Sequence, residues 1–300
     1  MTNKTKPIGI YNNGNVIVTI LQDGTKIRYT QDDEFKPEFS ESCDLKITNR
    51  CDLGCSYCHE DSTPNGKHAD ILNEKFLDTL KPFTELAIGG GNVLEHDDLI
   101  KFLEVLKTKN IIANITINQA HFVKDKDKIR YLVDNKLIYG LGISLNSLDT
   151  NFISKIKEYD NLVLHVINGV INKNDIDTLI NTRDLKILIL GYKELRRGEK
   201  YLKSNSVKII DNQEYLLDNL DKLISSCRVV SFDNLSLEQL DIKSKLPEQL
   251  WERIYMGDDG TSTFYIDAVE REFAKSSTSN KRYVLEDCIV EMFNKILNET

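Results

Sequence analysis

Short apolar runs rich in β-branched residues alternate along the chain with segments in which apolar residues recur every three or four positions. The first pattern predicts strands and the second predicts helices. The predicted strands are residues 43–48, 85–88, 111–117, 138–145, 162–167 and 185–190, with a possible extension at 228–232. The predicted helices between them are residues 73–80, 97–107, 125–135, 150–158 and 171–181. Parallel strands joined by helical crossovers curl into a barrel or part of one, so we predict an α/β fold.

Smaller segments flank this alternating region. Two β-branched runs surround Asp23-Gly24, which predicts a hairpin near the N-terminus. A second hairpin is predicted around Asp258-Asp259-Gly260, followed by a final amphipathic helix over residues 285–297. We therefore expect an N-terminal hairpin and linker (1–42), a main barrel domain (43–232), and a C-terminal hairpin and helix that cap the barrel mouth (233–300).

Composition narrows the class of protein. The chain has 300 residues, of which 40% are hydrophobic, and a formal net charge of -8. This acidic balance gives no support for binding nucleic acid or an anionic membrane. The sequence contains no apolar run of about 18 residues, and its first residues lack the apolar core of a secretory signal. We expect a cytoplasmic protein.

The most informative stretch holds Cys51, Cys55 and Cys58, three of the six cysteines, with the spacing Cys-x3-Cys-x2-Cys. Three thiolates from one tight loop can hold a metal centre, and Gly54 lets the loop turn sharply. The loop follows the first predicted strand of the main domain, at the end where α/β sheets and barrels place their chemistry.

Two kinds of centre fit these cysteines. A [4Fe-4S] cluster held by three cysteines keeps one iron without a protein ligand, and a small molecule can bind there. A zinc site would need a fourth ligand, which His59 or His68 could supply.

The motif resembles the signature Cys-x3-Cys-x-aromatic-Cys of the radical S-adenosylmethionine (SAM) superfamily, with Tyr57 as the aromatic residue. The resemblance implies a partial (β/α)6 TIM-like barrel, a [4Fe-4S] cluster on Cys51, Cys55 and Cys58, and SAM bound at the open iron. In that family, an electron from the cluster cleaves SAM to methionine and a 5'-deoxyadenosyl radical, which removes a hydrogen atom from the substrate. The implied reductant is a protein such as flavodoxin or ferredoxin, and the substrate, a small molecule or a peptide, stays unidentified.

The resemblance also assigns SAM contacts to strand ends. The tract Gly89-Gly90-Gly91 occupies the place of the family's Gly-Gly-Glu motif, which contacts the SAM amine. Because Gly91 replaces the acid, backbone carbonyls, Asn92 or Glu95 would have to make that contact. Ser144 is the first choice for the SAM carboxylate or ribose and Asn146 is the second, although Asn146 fits a helix cap equally well.

The sixth predicted strand ends at Leu190 and Gly191, which resemble the family's adenine-binding strand. Tyr57 would be a second adenine contact, but a tyrosine of the core would look the same. The pair Arg196-Arg197 is interpreted as a solvated face or as a clasp for a substrate anion. His165 lies in an apolar strand and is interpreted as a core histidine.

Other functions remain open. Cys43, Cys227 and Cys288 do not form a second Cys-x2-Cys, so we expect a single cluster. An activating enzyme that installs a glycyl radical in a protein partner would use the same loop. A zinc-binding structural or interaction protein is the alternative outside enzymes.

Overall fold

The computed structural model describes residues 6–299. The strands are β1 (Pro7–Asn13), β2 (Val16–Leu21), β3 (Lys26–Tyr29), β4 (Ser42–Thr48), β5 (Glu85–Gly90), β6 (Ile112–Asn118), β7 (Gly140–Ser144), β8 (Leu162–Ile167), β9 (Lys186–Leu190), β10 (Val229–Phe232), β11 (Thr263–Asp267), β12 (Glu272–Ala274) and β13 (Tyr283–Val284). The α-helices are α1 (Leu99–Thr108), α2 (Gln119–Lys124), α3 (Lys126–Asp134), α4 (Thr150–Ile156), α5 (Lys173–Asn181), α6 (Arg197–Asp218), α7 (Leu220–Ser226), α8 (Asn234–Gln239), α9 (Glu248–Ile254) and α10 (Ile289–Leu297). Short 3-10 helices lie at Lys75–Thr79, Val93–Glu95 and Lys243–Lys245.

The main sheet has the strand order β10-β9-β8-β7-β6-β5-β4-β11-β12-β13. Neighbouring strands from β10 to β11 are parallel, and β12 and β13 continue antiparallel. The sheet does not close on itself, because β10 and β13 are its two edges. The α/β prediction is confirmed, and an open parallel sheet is consistent with a partial barrel.

The two faces of this sheet differ in chemistry. One face of β4 carries Cys43, Leu45 and Ile47, which lie in the main hydrophobic core with the apolar residues of the helices. The opposite face carries Asp44 and Lys46. Strand register continues the second face through Thr116, Gly142 and His165, since paired residues of parallel strands point to the same side. We call this polar side the inner face.

The N-terminal hairpin is present, and β1 adds a third strand that the sequence pattern did not predict. Its buried residues pack against Ile112, the first residue of β6. An ion pair of 2.8 Å joins Lys26 to Glu85 at the start of β5. The N-terminal sheet therefore contacts the main sheet at the ends where its strands begin, which leaves the opposite ends for chemistry.

The C-terminal segment differs from the prediction in two ways. The hairpin turn lies at residues 268–271 between β11 and β12, so its placement at Asp258-Asp259-Gly260 is wrong. Gly257 and Gly260 do adopt positive φ, but the turn they form precedes a strand that pairs with β4. The side chain of Phe293 in α10 packs against Phe264 of β11. The final helix therefore covers the apolar face of the sheet and does not cap the barrel mouth.

The long helix α6 and the shorter α7 fill the connection between β9 and β10. They extend the strand–helix alternation beyond the helices predicted from the sequence. Across residues 6–299, none of the helices combines the length and apolar character needed to cross a bilayer.

Candidate active site

The cysteine loop leaves the end of β4 and lies beside the end of β5. Its three sulfurs belong to free, half-buried cysteines, Cys51, Cys55 and Cys58. Gly54 turns the loop with a φ of +62°, and no atom lies within 4 Å of where its Cβ would be. Burial raises the pKa of the Cys51 and Cys55 thiols, and the charge of the neighbouring Cys58 raises both further. The loop therefore carries three thiols beside the end of β5.

The glycine tract packs backbone to backbone against the beginning of this loop. The Gly91 amide donates to the Thr48 carbonyl at 2.7 Å, and the Asn92 amide donates to the Arg50 carbonyl at 2.6 Å. A Cβ on Gly90, which has a φ of +116°, would lie 2.3 Å from the Thr48 oxygen. Side chains therefore do not fit at these glycines, because the main chain of the loop occupies the space.

Gly89 differs from its neighbours, because nothing lies within 4 Å of its missing Cβ. Its backbone is open to a ligand on the inner face. Asn92 caps the following turn by accepting from the Leu94 amide at 3.2 Å, and Glu95 lies 3.3 Å from the guanidinium of Arg50. Both side chains named as substitutes for the missing acid thus have partners within the protein, whereas the backbone at Gly89 is bare.

The ends of β6 and β7 are tied together by polar side chains. Asn118 and Asn146 exchange amide hydrogen bonds of 2.9 and 2.8 Å. Helix α4 is capped by Asp149, whose carboxylate accepts from Phe152, so the interpretation of Asn146 as a helix cap is wrong. Ser144, at the end of β7, lies level with His165 of β8.

The end of β9 carries the two residues predicted to contact adenine. The Leu190 carbonyl accepts from the Asn168 amide at 2.8 Å, and the Gly191 amide donates to the Asp233 carboxylate at 2.9 Å. A Cβ on Gly191 would lie 2.4 Å from the side chain of Leu235. Local packing therefore explains this glycine, and the adenine contact stays a prediction.

Tyr57 is half-buried within the cysteine loop and packs edge-on against Tyr201 of α6, with ring centroids 5.9 Å apart. Burial and the neighbouring thiol of Cys55 raise its pKa to about 12. The ring therefore stays neutral, and one of its contacts joins the loop to α6.

His165 lies on the inner face, so its interpretation as a core histidine is wrong. The buried face of β8 belongs to Leu162, Leu164 and Val166. A Cβ on Gly142 would lie 2.5 Å from the His165 ring, which shows that the ring lies over the neighbouring strand. Within residues 6–299 the imidazole has no hydrogen-bond partner, and desolvation lowers its pKa to about 4. A neutral imidazole can donate one hydrogen bond and accept another.

A buried ion-pair network holds the far end of the cysteine loop. Lys46 of β4 lies 2.8 Å from the carboxylates of both Glu60 and Asp267. Glu60 comes two residues after Cys58, and Asp267 ends β11. Sequence reasoning missed this network, although a lysine inside an apolar strand was a signal, because buried lysines are rare unless paired.

Arg196 is exposed, as expected for a solvated face, whereas Arg197 is largely enclosed, and neither guanidinium is a free clasp. Arg197 donates to the carbonyls of Cys55 and Ser62, and Arg196 donates to the carbonyl of His59. Both guanidiniums therefore bind the cysteine loop.

The distances between the sulfurs of Cys51, Cys55 and Cys58 help to decide whether a zinc ion or an iron–sulfur cluster suits the loop. Within residues 6–299, one group of three potential metal ligands has its atoms within 4.8 Å of one another: Cys51, Asp52 and His121. It includes a single cysteine of the loop, and the 2.7 Å contact between His121 and Asp52 accounts for it without a metal. A tetrahedral zinc ion with bonds of about 2.3 Å would draw its sulfurs to within about 4 Å of each other. A four-iron cluster, which bonds each thiolate through a different iron, fits the wider arrangement.

A family model described as the radical SAM superfamily matches residues 45–186, from β4 to the start of β9. A radical SAM domain therefore spans residues 45–186 of this chain. The match covers the cysteine loop, the glycine tract and the ends of β6 to β8. Radical SAM enzymes use SAM and an iron–sulfur cluster, so this match counts against the zinc-binding alternative.

Comparison with individual proteins agrees with this family. The probable GTP 3',8-cyclase of Methanocaldococcus jannaschii is 26% identical over 165 residues, which are 53% of this chain and 53% of that protein. The match thus spans about half the length of this curated relative. Crystal structures of Streptococcus suis SuiB show the same fold. The form bound to SAM has a TM-score of 0.56 at 17% identity, over 83% of this chain and 64% of SuiB. The form bound to the precursor peptide SuiA has a TM-score of 0.53 at 17% identity, over 80% of this chain and 60% of SuiB.

Proposed function

We propose that this radical SAM enzyme holds one [4Fe-4S] cluster on Cys51, Cys55 and Cys58 and binds SAM along the adjacent strand ends. When bound, these groups supply an electron and a 5'-deoxyadenosyl radical that removes a hydrogen atom from a small-molecule or peptide substrate. The observation that carries the proposal is the hydrogen-bonded contact between the cysteine loop and the glycine tract. This contact brings three free thiols beside a backbone that is open at Gly89.

The chain's own residues have distinct proposed roles. The backbone of the glycine tract would receive the amine of SAM, and Ser144 and Asn146 would orient its carboxylate or ribose. Tyr57, Leu190 and Gly191 would border the adenine. These assignments come from the family resemblance together with the positions of these residues at or next to the ends of β5, β7 and β9 and, for Tyr57, within the cysteine loop.

The substrate would occupy the inner face of the sheet. Asp44 of β4 and His165 of β8 are among the polar side chains of this face that have no hydrogen-bond partner within residues 6–299. Partial enclosure raises the pKa of Asp44 to about 6, with nearby Lys193 acting in the opposite direction. Polar groups without partners on a walled face are available to orient a substrate, because a ligand that bonds them offsets the cost of their desolvation.

The two similar proteins are named with different kinds of molecule: one is a probable GTP cyclase, and SuiB was crystallised bound to a precursor peptide. Both classes are therefore retained for the substrate. Flavodoxin or ferredoxin is the proposed reductant. A reducing, cytoplasmic location is proposed because Cys43, Cys51, Cys55, Cys58, Cys227 and Cys288 are all free.

The test of the proposal is anaerobic reconstitution with iron and sulfide, followed by metal analysis and EPR spectroscopy of the reduced protein with and without SAM. We expect about four irons per chain for a single cubane cluster and an EPR signal that SAM changes. The Cys55→Ala variant should lose the cluster, whereas Cys227→Ala, a cysteine away from the loop, should keep it. A protein that binds zinc in place of iron, or an EPR signal that SAM leaves unchanged, would refute the proposal.

A further inference from the structure

Arg197, the first residue of α6, makes three contacts with the cysteine loop. Its Nη1 donates to the carbonyl of Cys55 at 3.0 Å, and its Nη2 donates to the carbonyl of Ser62 at 2.5 Å. Its Nε lies 2.7 Å from the carboxylate of Asp61. One guanidinium thus joins the middle cysteine of the motif to the chain that follows the last cysteine, Cys58. A planar fork with several donors can hold such separated acceptors in fixed positions, which an ammonium group cannot do.

The backbone on both sides of Arg197 is held in a fixed conformation, which sets the direction of the Arg197 side chain. Arg196 has a φ of +52° and a ψ of -116°, a conformation that is strained for a non-glycine residue. Such a conformation persists only where the surroundings fix it. Gly198 supplies part of that restraint, because a Cβ there would lie 2.3 Å from the carbonyl of Lys193. The hydroxyl of Tyr192 donates to the Gly198 carbonyl at 2.7 Å.

The position of Arg197 also places a positive charge beside the cysteine loop. A guanidinium carries a positive charge, and this one lies beside the carbonyl of Cys55. Its side chain is 22% exposed, whereas that of Asp61 is 56% exposed, so water screens the opposing carboxylate more strongly. When a reductant such as dithionite or a flavodoxin donates one electron, the cluster site gains one negative charge. A fixed cation nearby stabilises that reduced form.

We propose that Arg197 is a positioning residue that fixes the cysteine loop and, through its charge, raises the reduction potential of the bound cluster. The inference rests on the proposed function, since it concerns the same site. It goes further by assigning a role to a residue outside the cysteine motif and outside the matched family region, which ends at residue 186.

The test is an EPR-monitored redox titration of the reconstituted full-length chain with dithionite, comparing wild type with R197Q, R197K and the control K200Q. Lys200 is an exposed lysine of the same helix, and within residues 6–299 no hydrogen bond or ion pair joins it to the cysteine loop. For R197Q we expect the ratio of reduced to oxidised cluster at a fixed potential to fall roughly tenfold, which is 59 mV for a one-electron couple. R197K keeps the charge and should stay within about threefold of wild type, with lower iron content because the fork is lost. K200Q should match wild type in both readouts.

Each outcome has a defined meaning. R197Q with an unchanged potential, or K200Q with an equal shift, would overturn the proposal. If R197Q and R197K bind no iron while the melting temperature of the iron-free chain is unchanged, positioning by the fork is supported. If that melting temperature collapses, Arg197 is a general stability residue and the proposal is overturned. A wild-type chain that takes up no iron would overturn the proposed function as well, which separates the two failures.

Discussion

Removing the charge of Lys46 should weaken the fold and the cysteine loop together. The side chain of Lys46 is 2% exposed and lies 2.8 Å from each of two carboxylates, Glu60 at 10% and Asp267 at 3% exposure. Burial alone would lower the pKa of Lys46, but these two carboxylates outweigh it and raise the pKa. The lysine is therefore charged throughout the neutral range. The informative substitution is Lys46→Met, which keeps the length of the side chain and deletes its charge.

The expected loss of stability depends on which partners Asp267 and Glu60 keep when Lys46 is replaced. Breaking a buried ion pair costs about 3–5 kcal/mol, because the partner is left as an uncompensated charge. Asp267 keeps hydrogen bonds from the amides of Val269 and Glu270, at 3.1 and 3.0 Å, and Glu60 still lies 3.5 Å from Arg196. These remaining partners place the expected loss near the lower end of that range, about 3 kcal/mol.

The assay is urea denaturation of the iron-free protein followed by circular dichroism. The matched control is Lys75→Met, because Lys75 pairs with Asp287 at the same 2.8 Å but with side chains 74% and 68% exposed. That surface pair should contribute little to stability, because water screens both of its charges. The Lys46 variant should also take up less iron, since Glu60 anchors the loop. Equal losses of stability in the two variants, or a loss below about 1 kcal/mol at Lys46, would refute the reasoning.

Two further predictions concern the inner face and the glycine tract. Gly90→Ala should lower the free energy of unfolding by about 2 kcal/mol or more, because the backbone has a positive φ and the new Cβ would clash with the Thr48 carbonyl. The control is Gly24→Ala, at a φ of +89° in open space, which should lower the free energy of unfolding by only about 1 kcal/mol. Equal losses in urea titrations would contradict the clash. Because the pKa of His165 is lowered to about 4, its stabilising contribution is present above the unfolded pKa of about 6.5 and is lost as the pH falls from there toward about 4. His165→Gln should flatten the dependence of the unfolding free energy on pH in that range, and identical slopes for the two proteins would show that the folded histidine titrates normally.

Much of the fold was predictable because buried parallel strands read as continuous apolar runs. The predicted 162–167 strand agrees with β8 at both ends. Helix α6 was missed because several of its apolar side chains, among them Val207 and Ile210, are exposed, and this blurs the helical period. The C-terminal turn was misplaced because a glycine pair with positive φ suits many turns, and pairing of β11 with β4 depends on the whole sheet.

The residues of the candidate site were also predictable only in part. Cys51, Cys55 and Cys58 are visible in the sequence because their chemistry depends on local spacing. The side chains that hold their loop are not visible, because Asp267 meets Lys46 across 221 residues and Arg197 meets Cys55 across 142. The face of the sheet on which His165 lies could not be predicted from the sequence either. Because β8 carries apolar residues on both sides, no alternation of polar and apolar residues shows which side is buried.

The central claim is tested most directly by measuring 5'-deoxyadenosine after the reconstituted protein is reduced with dithionite in the presence of SAM. We predict that wild type and Cys227→Ala form 5'-deoxyadenosine and methionine, and that Cys55→Ala forms neither. An iron-loaded wild-type protein that releases no 5'-deoxyadenosine, or a Cys55→Ala variant that releases as much as wild type, would contradict the account.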